Sequence, residues 1–259
     1  MAKLMGVVNV TPDSFSDGGL YLDPGAAIAH GEELVAAGAD IVDVGGESTR
    51  PGAEPVGEAE ELRRVLPVVE ALAGATISID TYKAVVAAAA LDAGATIVND
   101  ITALRGDPEM AGLCAAREAT VVLMHMRGEP RTMQDAPAYD DVLVRVKEFL
   151  AERIEVALAA GIAAERIWVD PGIGFGKTTE HNLELLRRLG ELKELGQPLV
   201  IGTSRKGFIG RLDGSAAGER LGGTIASTVL AAAAGADVLR VHDVAEVRQA
   251  LALADAVLG

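Results

Sequence analysis

Polar residues lie at or just beyond the C-terminal end of each of eight short, largely apolar segments in this sequence. In chain order they are Asn9, Asp43, Asp80, Asn99 with Asp100, His125, Asp170, Ser204 with Lys206, and Arg240 with His242. Carboxylate and amide oxygens accept hydrogen bonds from N–H groups of a ligand, whereas cationic side chains pair with anionic oxygens. A single Asp or Asn in such a place often only caps a helix or ends a strand. Eight such positions in a row favour an active site for a polar, anionic small molecule.

The apolar segments that precede these residues predict eight parallel strands. They are β-branched, almost free of polar residues, and alternate with Ala- and Leu-rich segments of helical length, which is typical of βα units with strands buried on both faces. The predicted strands are Leu4 to Val10, Ile41 to Val44, Thr76 to Ile79, Thr96 to Val98, Thr120 to Met124, Ile167 to Val169, Leu199 to Ile201 and Val238 to Val241. Gly38, Gly94, Gly161 and Gly235 each stand between a helical segment and the next strand, where glycine ends a helix at low cost.

This pattern predicts one α/β domain over residues 1–259, a single (β/α)8 TIM barrel. The length of 259 residues fits the about 250 that a closed eight-fold barrel needs. We find no linker, low-complexity stretch or second domain. In such barrels the chemistry belongs at the C-terminal ends of the strands, which is where the eight polar positions lie.

Composition argues against several classes of partner. The formal net charge of −15, from 23 basic and 38 acidic residues, disfavours binding to nucleic acid or to anionic lipid. Neither an apolar run of about 18 residues nor a signal peptide is apparent, so we expect a cytoplasmic protein without a membrane partner. The one cysteine, Cys114, cannot form an internal disulfide, and no His/Cys cluster suggests zinc or iron.

Three loops at the predicted strand ends carry further candidates. The loop from Thr11 to Gly19 is long, polar and rich in glycine at its end, as expected of a mobile lid. The loop from Gly45 to Gly52 combines hydroxyls with one guanidinium and suits an anion or a carboxylate, although a solvated turn explains it equally well. The third follows the seventh strand, where barrels often bind phosphate, and contains Lys206. With Arg240 and His242 it predicts a basic set that binds phosphate or pyrophosphate.

Eight motifs at these strand ends together resemble the dihydropteroate synthase family of pterin-binding barrels. They are NVTPDSFSDGG from Asn9, DVGGESTRPG from Asp43, SIDT from Ser78, ND at Asn99, MHMRGEPRTMQ from Met124, DPGIGFGKT from Asp170, GTSRKGFIG from Gly202 and RVHDV from Arg240. They occur in order from Met5 to near the C-terminus, which is far more specific than one short motif. Two features depart from the family pattern: the first strand begins almost at the N-terminus, and Ala103 stands where glycine is common.

The resemblance implies a transferase of folate biosynthesis that sulfonamides inhibit. Its members condense 6-hydroxymethyl-7,8-dihydropterin pyrophosphate with 4-aminobenzoate and release pyrophosphate and 7,8-dihydropteroate. The implied mechanism is a dissociative, SN1-like substitution in which pyrophosphate leaves before the arylamine attacks. The resemblance further implies Mg²⁺ as the cofactor, small-molecule substrates as partners, and a homodimer packed through outer helices.

The resemblance also assigns roles to individual residues. The catalytic residues are Asp80, Asn99, Asp170, Lys206, Arg240 and His242. The pterin is bound by Asp80, Asn99, Met124, Asp170, Phe175, Gly202 and Lys206. The pyrophosphate is bound by Asn9, Arg240 and His242, with Asn9 also a ligand of Mg²⁺, an ion that prefers oxygen ligands and is often held largely by substrate phosphates. The 4-aminobenzoate is bound by Pro12, Phe15, Thr49, Arg50, Phe175 and Ser204.

Two other functions stay open at this point. A barrel that transfers a methyl group from methyltetrahydrofolate to a corrinoid protein would share the pterin-facing Asp and Asn residues. It would need neither the loop from Thr11 to Gly19 nor the basic set, since its reaction has no pyrophosphate. A catalytically silent pterin-binding barrel would have lost some of these groups, and none is missing from this sequence.

Overall fold

A computed structural model describes residues 2–11, 24–48, 53–128 and 132–258, and within these ranges parallel strands alternate with helices. The strands are β1 (Lys3–Asn9), β2 (Ile41–Gly45), β3 (Ile77–Asp80), β4 (Ile97–Asp100), β5 (Thr120–Met124), β6 (Ile167–Asp170), β7 (Val200–Ile201) and β8 (Val238–Val241). The α-helices are α1 (Pro24–Ala36), α2 (Glu58–Ala71), α3 (Ala84–Asp92), α4 (Met110–Ala116), α5 (Val142–Ala159), α6 (Thr179–Arg187), α7 (Gly207–Asp213), α8 (Leu221–Ala233) and α9 (Val244–Leu258). Short 3-10 helices span Ala164–Arg166, Leu189–Leu195 and Ala217–Glu219. None of the helices in these ranges is long and apolar enough to cross a membrane.

The strands form a nearly closed barrel. They pair in the order β6-β5-β4-β3-β2-β1-β8-β7, all in parallel, and a bridge between Val169 and Leu199 joins the two ends of the sheet. The predicted (β/α)8 TIM barrel is therefore confirmed, and each of the eight predicted segments contains a strand. Asp80, Asp100 and Asp170, predicted just beyond their strands, are the last strand residues, because their backbones still pair with the neighbouring strands.

Alternate residues of each strand face opposite sides of the barrel wall, as the period of two requires. Val42 and Val44 of β2 belong to the main core, which they form with the surrounding helices. Ile41, on the other face of β2, belongs to a separate cluster that fills the lower interior of the barrel. The members of that cluster are Met5, Ile41, Ile97, Val122, Val200 and Val238, with Trp168 packed against them. Residues two or four positions further along these strands consequently face the interior at its C-terminal end.

The turns between helices and strands confirm the predicted role of glycine. Gly38, Gly94, Gly161 and Gly235 have φ values of 97°, 115°, 93° and 96°, in the left-handed region that ends a helix cheaply. Ala103, at the position where the family pattern has glycine, has a φ of 53°. Its loop nevertheless keeps the bend, because the Asp100 carboxylate accepts hydrogen bonds from the backbone N–H groups of Thr102 at 2.7 Å and Leu104 at 2.8 Å.

Candidate active site

A cavity of about 390 Å³ opens at the C-terminal ends of the strands, where the sequence predicts the active site. The predicted site residues that line it are Asn9, Asp80, Phe175, Ser204, Lys206, Arg240 and His242. Four more, Asn99, Met124, Asp170 and Gly202, lie buried behind this lining. The last four, Pro12, Phe15, Thr49 and Arg50, lie outside the described residues, so their part in the site stays a prediction.

Arg240 joins carboxylates from two other strands on one side of this cavity. Its Nε donates to Asp43 Oδ2 at 2.6 Å, and its Nη2 donates to Asp80 Oδ2 at 2.8 Å. Asn99 Nδ2 also donates to Asp43 Oδ2, at 3.2 Å, while Asp43 Oδ1 is buried without a hydrogen-bond partner. Burial raises the pKa of Asp80 to about 7, a shift that Arg240 opposes and the charge of Asp43 reinforces.

This pairing changes how the predicted basic set is interpreted. The positive charge of Arg240 compensates two buried carboxylates, so Arg240 is not a free cation at the cavity. Asp43, which compensates it from within the barrel, was noted in the sequence only as a strand-end residue and was given no role. Its position at the head of the DVGGESTRPG motif was the available signal.

Lys206 and Phe175 line the other side of the cavity, and Asp170 is buried next to them. The Lys206 ammonium donates to the backbone oxygen of Ile173 and lies 4.5 Å from the centre of the Phe175 ring. The backbone N–H of Gly172 donates to Asp170 Oδ1 at 2.7 Å, and none of the described residues donates to Oδ2. Burial lowers the pKa of Lys206 to about 8 against the opposing charge of Asp170. Burial likewise raises the pKa of Asp170, with Lys206 opposing.

Ser204 and His242 lie together on the rim. Ser204 Oγ is 2.9 Å from His242 Nδ1 and accepts a hydrogen bond from the His242 backbone N–H at 3.2 Å. The sequence assigned these two residues to different substrates, and their contact means that the two predicted subsites adjoin. Arg211 and Arg220 also line the cavity but were missed in the sequence. Arg211 comes directly after the GTSRKGFIG motif, which was the only signal for it.

Asn9 is the residue that fits a hard metal ion. It ends β1 beside Gly45, lines the cavity, and its side-chain amide forms no hydrogen bond with the described residues. In the described part of the chain, no group of three or more His, Cys, Asp and Glu side chains is arranged to hold a metal. The amide oxygen of Asn9, to which no described residue donates, is nevertheless compatible with Mg²⁺ that takes most of its ligands from substrate phosphates and water.

Three other polar or reactive side chains serve the framework. Asp100 holds the loop after β4, as described above. His125 lies between β5 and the loop that follows β6, with its Nδ1 2.9 Å from Lys177 Nζ, and burial lowers its pKa to about 2, so that the ring is neutral. Cys114 is buried in α4, and burial raises the pKa of its thiol to about 12. None of the three lines the cavity.

The chain is similar in sequence and in structure to known dihydropteroate synthases. The family profile described as pterin binding enzyme matches residues 5–242. A dihydropteroate synthase from Synechocystis sp. is 48% identical over 257 residues, which cover 98% of this chain and 89% of that protein. The dihydropteroate synthase of Yersinia pestis, solved with a sulfonamide drug, superimposes with a TM-score of 0.96 at 45% identity, covering 99% of this chain and 94% of that one. The Xanthomonas albilineans dihydropteroate synthase, solved with 4-aminobenzoic acid, gives a TM-score of 0.93 at 50% identity over 100% and 93% of the two chains.

Because Arg240 pairs with both Asp43 and Asp80, replacing it should destabilise the protein by an amount that depends on pH. At about pH 9, Arg240→Met should lower the free energy of unfolding by about 3 kcal/mol, because it leaves buried carboxylate charge uncompensated. This value is the lower end of the range for a broken buried ion pair, since the Arg240 side chain is 24% exposed. Asp80 has a raised pKa, so in the folded protein it is protonated as the pH falls below about 7 and then needs the guanidinium less. The loss at about pH 5 should therefore be smaller, as urea unfolding at both pH values would show.

The matched control is Arg145→Met, which removes a surface arginine paired with Asp140 and Glu148 and should change stability little at either pH. An Arg240→Met variant as stable as the wild type, or one whose loss is the same at both pH values, would contradict the compensation by Arg240.

Proposed function

The chain belongs to the dihydropteroate synthase family of pterin-binding enzymes and is a transferase, and from this membership we propose that it condenses 6-hydroxymethyl-7,8-dihydropterin pyrophosphate with 4-aminobenzoate. The observation that carries the proposal is that three strands end in acceptor side chains at the same end of the barrel. Asp80 lines the cavity there, and Asn99 and Asp170 are buried behind its lining. The methyltransferase and silent-barrel alternatives have no comparable support, since the relatives named above are dihydropteroate synthases.

The three acceptors suit the hydrogen-bonding edge of a pterin. That edge carries amino and ring N–H donors, which need buried acceptors once water is excluded. We propose that Asp170 Oδ2 binds the amino-pyrimidine edge together with Asn99, and that Asp80 accepts from the reduced ring. Among the described residues, none donates to Asp170 Oδ2, and the Asn99 amide donates only to Asp43 Oδ2, which supports these roles. Lys206 would donate to the pterin from the opposite side.

Apolar groups next to these acceptors suit the faces of the pterin ring. Phe175 packs against a small cluster that contains Met124, at the boundary between cavity and core. Gly202 leaves room beside Lys206, whose Nζ would lie 3.9 Å from an added Cβ. We propose that Met124, Phe175 and Gly202 enclose the ring, because aromatic and small residues allow close stacking.

The pyrophosphate would lie at the rim, against Asn9, Arg240 and His242. His242 and Arg240 follow each other on the inward face at the end of β8, and Asn9 is on the adjacent strand β1. Asn9 would also hold Mg²⁺, which when bound would supply positive charge at the departing oxygens. The protein's own contribution is the orientation of the anion by the guanidinium and the imidazole.

The charges around the cavity support a dissociative order of bond changes. The bond between the pterin methylene carbon and the pyrophosphate oxygen would break first, which leaves positive charge delocalised into the pterin ring. Asp43, Asp80 and Asp170 would place carboxylates near that carbon, and Asp80, which lines the cavity, would stabilise the cation most directly. The arylamine nitrogen then forms a bond to the methylene carbon and loses one proton. No serine or cysteine nucleophile is required.

The 4-aminobenzoate would occupy the outer part of the cavity. Ser204 and Phe175 line that part, and Pro12, Phe15, Thr49 and Arg50 are proposed to complete it from outside the described residues. The relatives from Xanthomonas albilineans and Yersinia pestis support this proposal, since they bind 4-aminobenzoic acid and a sulfonamide drug. Sulfonamides should accordingly compete with 4-aminobenzoate here.

We also propose a homodimer formed through outer helices. Leu230 of α8 and Leu253 of α9 are 66% and 68% exposed on helices that pack against each other, so this side of the barrel presents apolar surface. The organisation of residues 1–259 as one domain and the cytoplasmic location stay predictions.

The proposed reaction is tested directly by mixing the purified protein with dihydropterin pyrophosphate, 4-aminobenzoate and Mg²⁺ and measuring dihydropteroate. Turnover is expected, with none when either substrate is left out. A parallel reaction with methyltetrahydrofolate and a corrinoid acceptor should give no methyl transfer. If the folded protein forms no dihydropteroate in this assay, the proposed function is ruled out.

The dissociative order is tested with dihydropterin pyrophosphate that carries ¹⁸O between the methylene carbon and phosphorus. When 4-aminobenzoate is omitted, reversible ionisation should move the label into non-bridging positions of the recovered substrate, which mass spectrometry of its fragments detects. A direct displacement cannot scramble the label without the amine. Normal turnover with an unscrambled substrate would argue for direct displacement.

The assigned pterin residues are tested by calorimetry with Asp170→Ala and Lys206→Ala. Both variants should fold, yet lose affinity for dihydropterin pyrophosphate by a factor on the order of 10³ or more, because a site built for hydrogen bonds discriminates strongly when one partner is missing. Lys147→Ala, which removes a surface lysine paired with Glu194, should bind like the wild type. Unchanged affinity in either site variant would refute its assigned role.

A further inference from the structure

The loop between β6 and α6 is held by side chains along its whole length. Five consecutive backbone oxygens, from residues 172 to 176, each accept a hydrogen bond from a side chain. The donors are Lys177 to Gly172 at 2.9 Å, Lys206 to Ile173, Gln134 to Gly174 at 2.6 Å, Lys177 to Phe175 at 3.0 Å, and Tyr139 to Gly176 at 2.9 Å. A loop without regular structure normally leaves such oxygens to water. Here its backbone position is determined by side chains from several elements.

The glycines of this loop leave it little freedom to move. Gly172, Gly174 and Gly176 all have positive φ values, of 66°, 85° and 62°. A Cβ on Gly172 would come within 1.9 Å of the backbone oxygen of His125, and one on Gly174 within 3.0 Å of Lys206 Cδ. The loop is therefore packed tightly between the end of β5 and Lys206, and a small displacement of it moves the lining of the cavity.

Lys177 is the only one of these donors that holds two of the five oxygens. It is fully buried, and its Nζ also lies 2.9 Å from His125 Nδ1. Burial lowers the pKa of Lys177 well below its usual range, with the charge of Asp170 opposing. The backbone oxygen of His125 is a fourth, longer partner at 3.4 Å. A charged ammonium can donate to Nδ1 and to both loop oxygens, and a neutral amine accepts from a protonated Nδ1 while it still donates to both loop oxygens. The two loop oxygens are satisfied in either protonation state.

We propose that Lys177 is a positioning residue, which sets the Asp170–Lys177 loop so that Phe175 and Lys206 present one rigid surface to the pterin ring. Lys177 does not line the cavity and acts through others. Its bond to Phe175 fixes the backbone that carries the ring. Its bond to Gly172 holds the residue whose N–H orients the Asp170 carboxylate.

The inference rests on the proposed function for the identity of the ligand, and it predicts a selective defect. Within the described part of the chain, the hydrogen bonds of Arg240 and His242 go to Asp43, Asp80 and Ser204, and none joins Asn9, Arg240 or His242 to Lys177 or to the loop oxygens that it holds. Loss of Lys177 should therefore impair binding of the pterin while binding of pyrophosphate stays intact. A residue that merely stabilised the fold would affect both ligands or neither.

The test compares dissociation constants of Lys177→Met and the wild type, measured by calorimetry with Mg²⁺ present. For dihydropterin pyrophosphate we expect a rise of about tenfold to 100-fold, because a displaced loop leaves the hydrogen-bonding groups around the ring poorly aligned. For inorganic pyrophosphate the constant should stay within about twofold. A change of equal size for both ligands, or none for either, would overturn the proposal.

Arg153→Met is the matched control. Arg153 is also a buried cation that donates to two backbone oxygens of a loop, those of Ala103 at 2.8 Å and Leu104 at 3.5 Å. Its removal should lower the melting temperature as Lys177→Met does, yet leave both dissociation constants unchanged. If Arg153→Met also weakened binding of dihydropterin pyrophosphate but not of pyrophosphate, any buried cation that donates to loop oxygens would have this effect. That result would contradict a special role for Lys177.

Tyr139→Phe provides a milder variant in case Lys177→Met does not fold. It deletes only the hydrogen bond to Gly176 and should raise the dissociation constant of dihydropterin pyrophosphate by about threefold to tenfold, again without affecting pyrophosphate. Unchanged affinity for dihydropterin pyrophosphate would contradict the proposal that side-chain hydrogen bonds to the loop oxygens position the pterin site. If the wild-type protein binds both ligands but forms no dihydropteroate, the proposed function is contradicted, whereas the role of Lys177 in binding is not.

Discussion

The arrangement of the cavity depends on the compensation of buried carboxylates by Arg240. Asp43 is fully buried inside the barrel, where an unpaired carboxylate would be very costly, and Asp80 lies beside it at the end of the next strand. Arg240 is level with Met5 on β1, whereas Asp43 is level with Val7, so the guanidinium must extend along the barrel axis by two residues to reach its partners. A long, forked cation meets both carboxylates at once, and a shorter point charge would not.

This compensation leaves the site electrically mixed. Carboxylates face the interior of the barrel, while cations lie among and above them, so one end of a bound molecule meets acceptors and the other meets donors. Such a division suits a substrate with an N–H-rich ring and an anionic leaving group. A net charge of −15 is therefore compatible with the proposed binding of an anion, because the field at the cavity is set by near neighbours rather than by the total charge.

The two sides of the cavity are held in different ways. The side with Arg240 is held by ion pairs between strands, whose positions follow from the register of the sheet. The side with Phe175 and Lys206 includes a loop whose backbone oxygens are bound by side chains from other elements. Rigid strands need no such support, whereas a loop built from three left-handed glycines has high conformational entropy in the unfolded chain and must be fixed by specific contacts.

Much of the fold and part of the site follow from local pattern. β-branched runs, glycines at helix ends and polar residues at strand ends depend on neighbouring residues only, and so the eight strands and the position of the cavity were predictable. The roles of individual strand-end residues were less so. His125 and Asp80 both end an apolar run, yet His125 lies against Lys177 behind the cavity and Asp80 lines it, because the direction of a side chain depends on where the strand stops and the loop turns.

The sequence by itself determined the barrel, the family and the set of polar groups at its mouth. Only the tertiary structure decided which of those groups pair. Arg240 is separated from Asp43 by 197 residues and from Asp80 by 160, and no pattern within any one βα unit specifies that they meet. Closure of the sheet brings β8 beside β1, and the register between these strands then places the guanidinium between two carboxylates. The same holds for Lys177, an ordinary lysine in the sequence that packing buries completely.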